Sequence, residues 1–406
     1  MTGPPPSAAA PVRGPAWEVF RVFLRLGATS FGGPIAHLGY FRAELVERRR
    51  WLDDNEYADL VALCQFLPGP ASSQVGFAIG LLRAGWRGAL AAFAAFTLPS
   101  AALMVAFAYG AAAFAGPVGA GLLAGLKVVA VAIVAHAVLG MVKTLAPDSR
   151  RASILALAAI SALLLPGAGG QVVAILLGAV AGLLFCRGPG APPGRTLSFP
   201  VRRRTGVVSL VLFGALLAGG PALLHATGSG GAALFAVFSR AGALVFGGGH
   251  VVLPLLQAGL VEPGWVSGAD FLAGYGAAQA LPGPLFAFAA FLGALSPVGP
   301  GGLLGALIAL VAIFLPGFLL LLGALPFWNA LRRRTGAEAA MRGVNAAVVG
   351  ILVAALYTPV FSTAITGPAT FCLGLVCFVL LVAWRLPPWV VVLVGAAGGT
   401  ALSLVA

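Results

Sequence analysis

The chain has 406 residues, 60% of them hydrophobic and only 9% charged, with a net charge of +13. A soluble domain carries about 25% charged residues, so a mean hydropathy of +1.03 excludes an ordinary soluble enzyme. The Lys and Arg lie mostly in loops between apolar runs, where they act as topology signals, so the positive charge does not point to nucleic acid. Residues 1–16 read as a short disordered tail without the apolar core of a signal peptide. Six apolar segments follow at roughly 17–40, 57–82, 86–110, 118–146, 151–166 and 171–186. A Pro/Gly/Arg-rich linker and one extra segment at 206–226 occupy 187–230. Six more segments fall at roughly 232–260, 269–294, 301–327, 339–362, 368–385 and 388–406. Many of these runs can cross a hydrocarbon core of about 30 Å, and in lipid they must be helices, because every backbone polar group needs an internal partner. The alternating segments of a transmembrane β-barrel are absent.

The two halves are related. At an offset of 215, Phe20, Phe23, Arg25, Gly27, Phe31, Gly32 and Gly33 meet Phe235, Phe238, Arg240, Gly242, Phe246, Gly247 and Gly248. At an offset of 214, Trp51 meets Trp265, Gln65 meets Gln279, and Leu67-Pro68-Gly69-Pro70 meets Leu281-Pro282-Gly283-Pro284. The expected units are therefore a first repeat over 17–186 and a second over 231–406, joined by a single extra span. An odd spacer between halves of even crossing number predicts inverted repeats, a common transporter architecture.

Charge placement predicts a cytoplasmic N-terminus. Arg83, Arg87, Lys143, Arg150, Arg151, Arg195, Arg202–Arg204, Arg332–Arg334 and Arg385 fall beside loops of one side. Arg42 and Arg48–Arg50 fit that side only if the first two segments are re-entrant, breaking at Gly32-Gly33-Pro34 and at Pro68-Gly69-Pro70. Thirteen simple spans are the competing topology.

The breaks carry the chemistry. Proline lacks the N–H and clashes with the preceding turn, and non-helical backbone at membrane depth is tolerated only inside protein or beside a wet cavity. A helix restarting there aims free N–H groups and a positive dipole end at that cavity, which suits an anion. The simpler reading is that the breaks are only kinks. Ser72, Ser73 and Gln74, past Pro70, add hydroxyl and amide donors, whereas the second copy has Leu285-Phe286-Ala287. The candidate anion-binding residues are accordingly Gly32, Gly33, Pro34, Gln65, Pro68, Gly69, Pro70, Ser72 and Ser73 in the first half. Their second-half partners are Gly247, Gly248, Gly249, Gln279, Pro282, Gly283 and Pro284. Arg25 and Arg240 either present bidentate donors to an oxyanion or snorkel to the interface. Lys127 lies inside an apolar segment, opposite Asn345 in the second half; an embedded Lys calls for an anion or a carboxylate. His37 and His250 carry a proton, donate to an anion, or are structural. Glu56 and Asp270 read as helix caps. Embedded charges are mostly basic, which argues against a cation carrier. Cys64, Cys186, Cys372 and Cys377 form no C-x-x-C pair, so no metal site is expected, and no cofactor is implied.

The string FLRLGATSFGGPIAHLGYFRAELVERRRWLDDNEYADLVALCQFLPGPASSQVGFAIG resembles the chromate ion transporter family in its long, two-domain form, as does FGGGHVVLPLL with the later QALPGP. The resemblance covers nearly the whole chain. It implies chromate efflux across the inner membrane and chromate resistance, with sulfate as the look-alike dianion. It also implies roles for Phe31, Gly32, Gly33, Pro34, His37, Trp51, Gln65 and Pro68–Pro70, then for Gly247–Gly249, Pro254, Gln279 and Pro282–Pro284. The expected partners are a small oxyanion, the lipid bilayer and, as an open option, a second copy of the chain in a homodimer. A passive anion channel and an integral membrane enzyme remain as alternatives; the absence of a P-loop argues against ATP-driven pumping by this chain.

Overall fold

The structure is a computed structural model and describes residues 14–111, 116–165, 167–187, 199–246, 248–328 and 335–405. The candidate Gly247, the basic residues Arg195 and Arg332–Arg334, and nearly all of the expected disordered tail lie outside the described residues. Among the described residues every regular element is helical, as the apolar periodicity requires. The first half comprises α1 (Ala16–Thr29), α2 (Gly33–Phe41) continued by a π turn (Arg42–Arg48), α3 (Asp54–Phe66), α4 (Ala71–Ala111), α5 (Pro117–Leu145), α6 (Ser149–Leu164) and α7 (Ala168–Phe185). The connecting helix is α8 (Arg203–Thr227). The second half comprises α9 (Gly230–Ala243), α10 (Val252–Leu260), α11 (Gly268–Ala280), α12 (Phe288–Leu295), α13 (Gly302–Ala324), α14 (Thr335–Ala355), α15 (Pro368–Val382) and α16 (Pro388–Val405).

Five described helices are long and apolar enough to cross a bilayer by length and composition, and the longest runs Ala71–Gly110. That one is not a single rod. Ala84 and Gly85 leave helical geometry, and a Cβ on Gly80 would collide with the Gly88 carbonyl. Residues eight apart on a straight helix are about 12 Å distant along its axis. Helix α4 is therefore a hairpin of two arms, 71–83 and 86–111.

The broken segments also fold back. The chain leaves a charged cluster at Glu18 and returns to it at Arg49, 3.6 Å from the Glu18 carboxylate. It leaves again at Trp51 and returns at Arg83, whose guanidinium lies 3.0 Å from Glu18 and 5.0 Å from the centre of the Trp51 ring. The thirteen-simple-span topology is thereby corrected: the first two apolar segments, α1–α2 and α3 with the first arm of α4, each return to the end where they began. Asp53 caps α3 by accepting from the Glu56 amide at 2.8 Å, and Ser267 caps α11 by accepting from the Asp270 amide at 3.0 Å. Glu56 and Asp270, expected as caps, instead stand at the third helical position and accept in return, from the Asp53 amide at 3.0 Å and the Ser267 hydroxyl at 2.6 Å.

In the second half α9 runs beside α13, and a Cβ on Gly259 of α10 would press on Val237 of α9 at 2.5 Å. The feet of these hairpins stand at the other end of the second arm of α4. A Cβ on Gly302, at the start of α13, would stand 2.8 Å from the Tyr109 hydroxyl oxygen; Glu262 approaches Gly167, and Gly268 approaches Thr363. Trp265 lies in this second set of feet, as Trp51 lies in the first.

The halves interlock. Gly125 of α5 touches the Gly395 backbone of α16, and Gly343 of α14 touches the Gly178 backbone of α7. Gly125 and Gly343 are equivalent, as are Gly178 and Gly395. Each half thus packs its final helix on the long helix of the other, with glycines letting the backbones approach closely. Outward faces are apolar: Leu157, Leu164, Leu176 and Leu184 are each at least 60% exposed, the surface that a hydrocarbon core covers.

Candidate functional site

The four chain breaks meet at the centre. The Gly69 amide donates to the Val245 carbonyl at 2.7 Å, and the Gly283 amide donates to the Ser30 carbonyl at 2.9 Å. Gly69 is equivalent to Gly283 and Ser30 to Val245, so the two bonds are a reciprocal pair across a pseudo-twofold axis. A Cβ on Gly249 would lie 3.1 Å from the Pro34 ring, and these residues are equivalent to each other at the offset of 215. Contact between equivalent residues marks the axis itself. Gly69 and Gly283 hold φ of 123° and 97°, a region that L residues rarely adopt; both positions therefore require glycine.

Each Pro-Gly-Pro segment also packs beside a helix-interior proline of the other half. A Cβ on Gly69 would lie 3.0 Å from Cα of Gly317, next to Pro316 inside α13. A Cβ on Gly283 would lie 2.8 Å from Oγ of Ser100, next to Pro99 inside α4. Gln74 ties the first of these crossings. Its Nε2 donates to the Pro68 carbonyl at 3.1 Å and to the Gly317 carbonyl at 2.8 Å.

The two sides of the axis differ in chemistry. On the first half's side His37 is fully buried, with Nδ1 3.4 Å from Oγ of buried Ser72. Its ring meets Phe96 edge-on at 5.3 Å between centroids. The buried Ser30 Oγ, Ser73 Oγ, Gln74 Oε1 and Thr97 Oγ1 have no hydrogen-bond partner among the described residues. Orphaned buried polar atoms are costly, and here they collect on the segments around His37. On the second half's side the positions equivalent to Ser72, Ser73 and Gln74 are Phe286, Ala287 and Phe288, all buried. The Phe286 ring meets that of Phe314 at a tilt of 45°, with centroids 5.7 Å apart. The polar group there is instead His250, whose Nδ1 is 2.6 Å from the Tyr275 hydroxyl, with the side-chain amide of Gln279, one turn along α11, bonded to the same hydroxyl.

Of the candidates read from sequence, Pro34, His37, Pro68, Gly69, Pro70, Ser72, Ser73, Gly248, Gly249, His250, Gln279, Pro282, Gly283 and Pro284 lie on the segments that converge at the axis. Arg25, Arg240, Gln65 and Gly32 are exposed, and the structure does not place them among the buried polar groups. Arg25 stands one turn before the first break, on the outer side of α1, whose buried face is Val22, Phe23 and Leu26. Lys127 and Asn345 are half-buried on the long helices α5 and α14. Sequence reasoning missed the contacts at Pro99–Ser100 and Pro316–Gly317 and the bridging role of Gln74. The signal for the two prolines was present: Leu98-Pro99-Ser100 repeats as Leu315-Pro316-Gly317 at an offset of 217. For Tyr275 there was none, because Val61 holds its equivalent place.

Interlocked halves, hairpins that fold back on themselves and central breaks holding buried polar groups define a multi-pass α-helical membrane protein of the transporter class. The chromate transporter family model matches residues 17–183 and 232–400, one match per half, so the chain belongs to the chromate transporter family. It is 29% identical over 393 residues to a probable chromate transport protein of Synechococcus elongatus, covering 94% of both chains. It is 31% identical over 407 residues to a chromate transport protein of Pseudomonas aeruginosa, covering 94% of this chain and 90% of that one. A third relative, a chromate transport protein of Cupriavidus metallidurans, is 28% identical over 349 residues, 84% of this chain and 81% of the relative. No solved structure matches the chain.

Proposed function

We propose that this protein is a secondary transporter that carries chromate outward across the cytoplasmic membrane by alternating access between two inverted repeats. The reciprocal Gly69–Val245 and Gly283–Ser30 bonds carry the reading, because they bring four interrupted segments to one place on the axis. The opposite ends at which the two sets of hairpin feet stand support inversion. The first set, with Arg42, Arg48, Arg49 and Arg83, faces the cytoplasm by the positive-inside rule, with the N-terminus on the same side. Both broken segments of each repeat are then re-entrant, one pair dipping in from each side.

The anion sits on the first half's side of the axis. There the buried hydroxyls of Ser30 and Ser73, the His37 imidazole and the restarting N-terminus of α4 offer hydrogen bonds and a positive dipole end. The aromatic second half supplies the dry wall against which the site closes. Arg25 and Arg240 lie outside the buried group and act on the approach of the dianion rather than on its final coordination. A site of hydroxyls, an imidazole and amides recognises a tetrahedral dianion without distinguishing chromate sharply from sulfate, since specificity needs a contact that differs between them. Exchange against sulfate follows from that shared shape.

Flux in proteoliposomes tests the reading. Saturable chromate uptake, accelerated by sulfate loaded on the opposite side, is the expected result. Voltage-driven currents without saturation would replace the carrier by an anion channel, and absence of any oxyanion flux would remove the proposal.

A further inference from the structure

A second polar feature lies away from the breaks. A cleft of about 300 Å3 opens where the start of α6, the end of α7 and the first turns of α14 meet. Arg150, Arg151, Arg187 and Arg342 line it, with Asp148 as the one acid among the described lining residues. Asp148 is already engaged: it accepts from the Arg151 amide at 3.0 Å and from the Arg151 guanidinium at 2.6 Å. Arg342 pairs with Glu338 and donates to the Cys186 carbonyl. Arg150 donates to the Phe185 carbonyl at 3.0 Å, and Arg187 donates to the Leu183 carbonyl at 2.8 Å. Neither has a carboxylate partner among the described residues. Each guanidinium has five N–H donors, so these backbone bonds fix the two forks while leaving most of their donors free.

The surroundings identify the ligand class. Phe185, at the rim, is 56% exposed, and the outward face of α7 continues away from it through Leu184, Val180, Leu177 and Leu176, each more than half exposed. An apolar, lipid-facing track thus ends in a niche of fixed guanidinium groups. Basic pockets between helices at the cytoplasmic surface suit phosphate-bearing lipid head groups, and arginine forks fit phosphate oxygens in pairs.

We infer that this cleft binds the phosphate of an anionic phospholipid, with the acyl chains lying along α7. Arg150 and Arg151 belong to the first half, Arg187 opens the linker that follows it and Arg342 belongs to the second half, so the lipid bridges the repeats. The inference rests on the membrane reading above but not on the identity of the transported anion.

The test uses the purified full chain. A photoreactive phosphatidylglycerol is expected to label the peptides around Arg150 and Arg187, and labelling confined to other surfaces would overturn the inference. In native mass spectrometry the chain should retain phosphatidylglycerol over phosphatidylcholine. The Arg150→Gln, Arg187→Gln double variant should lose at least five-fold of that preference, and the Arg150→Lys, Arg187→Lys variant should keep part of it. Equal retention by wild type and the Gln variant would overturn the assignment. Inorganic phosphate or sulfate at millimolar concentration should neither displace the lipid nor raise the melting temperature as the lipid does. If it does both, the cleft is a soluble-anion site and the lipid inference fails. Chromate flux is a separate readout, so these results stand whether or not the carrier reading holds.

Discussion

The Gly69 amide meets the Val245 carbonyl at 2.7 Å, joining the Pro-Gly-Pro break of one repeat to the glycine-rich break of the other. The same bond recurs between Gly283 and Ser30 at 2.9 Å. Two repeats can exchange such bonds only where their broken segments lie side by side, and that placement gives each break a partner for backbone groups that a helix would have satisfied. An unpaired amide at membrane depth costs several kcal/mol, so the pairing also stabilises the breaks as breaks.

Gly69→Ala and Gly283→Ala should each destabilise the protein by about 1–3 kcal/mol, the cost of holding an L residue in that backbone region. A lower melting temperature in detergent checks this. Chromate flux should fall in both. Gly39→Ala, at a position where a Cβ meets nothing within 4 Å, should behave as wild type.

Gln74 spans the crossing of the first Pro-Gly-Pro segment with α13. Gln74→Ala removes its bonds to the Pro68 and Gly317 carbonyls; the Pro68 carbonyl, outside any helix, is then left buried without a partner, at a cost of about 1–3 kcal/mol. Both the melting temperature and the maximal flux should drop. The equivalent position already carries Phe288, so Phe288→Leu should have a much smaller effect on flux.

His37→Ala and Ser72→Ala should each lower chromate transport about ten-fold, which corresponds to the loss of about 1.4 kcal/mol. Arg25→Gln should act differently. Its side chain lies outside the buried group, so half-saturation should move to higher chromate concentration while the maximal rate holds. A full loss of maximal rate in Arg25→Gln would place the guanidinium in the final coordination of the anion.

The two sets of hairpin feet should be reachable from opposite sides of the membrane. In a chain without its native cysteines, Asn55→Cys should react with an impermeant thiol reagent only in inverted vesicles, and Pro263→Cys only in intact cells. Both positions are exposed. Labelling of both from one side would reject inversion.

Much of this was legible in the chain. The duplicated FGG and Leu-Pro-Gly-Pro strings located the four breaks, because Gly and Pro act on the backbone locally wherever they fall. The basic residues at 42 and 48–50 indicated that the first segments turn back, since a simple crossing would put them on the wrong side. The fold-back of α4 at Ala84–Gly85 was half visible: the boundary between two apolar segments was read there, but not the close contact of Gly80 with Gly88. What could not be read was the pairing between breaks. Which carbonyl receives the Gly69 amide depends on how the two halves interlock, and that rests on distant glycine contacts such as Gly125 with Gly395. The exposure of Arg25 was also hidden, because helical spacing gives its angle on α1 but not which face α4 covers. Conversely, the difference between Ser72-Ser73-Gln74 and Phe286-Ala287-Phe288 was plain in sequence, and the structure gives it meaning by setting both on one axis.

The claim that the breaks lie together and separate during transport is tested most directly at the axis. Pro34→Cys and Gly249→Cys, introduced together after replacement of Cys64, Cys186, Cys372 and Cys377, place two thiols where the Pro34 ring and a Gly249 Cβ approach to 3.1 Å. The account predicts that oxidation cross-links the pair within one chain, stops chromate flux, and that reduction restores it. A chain that will not cross-link, or that transports at the full rate while cross-linked, would contradict it.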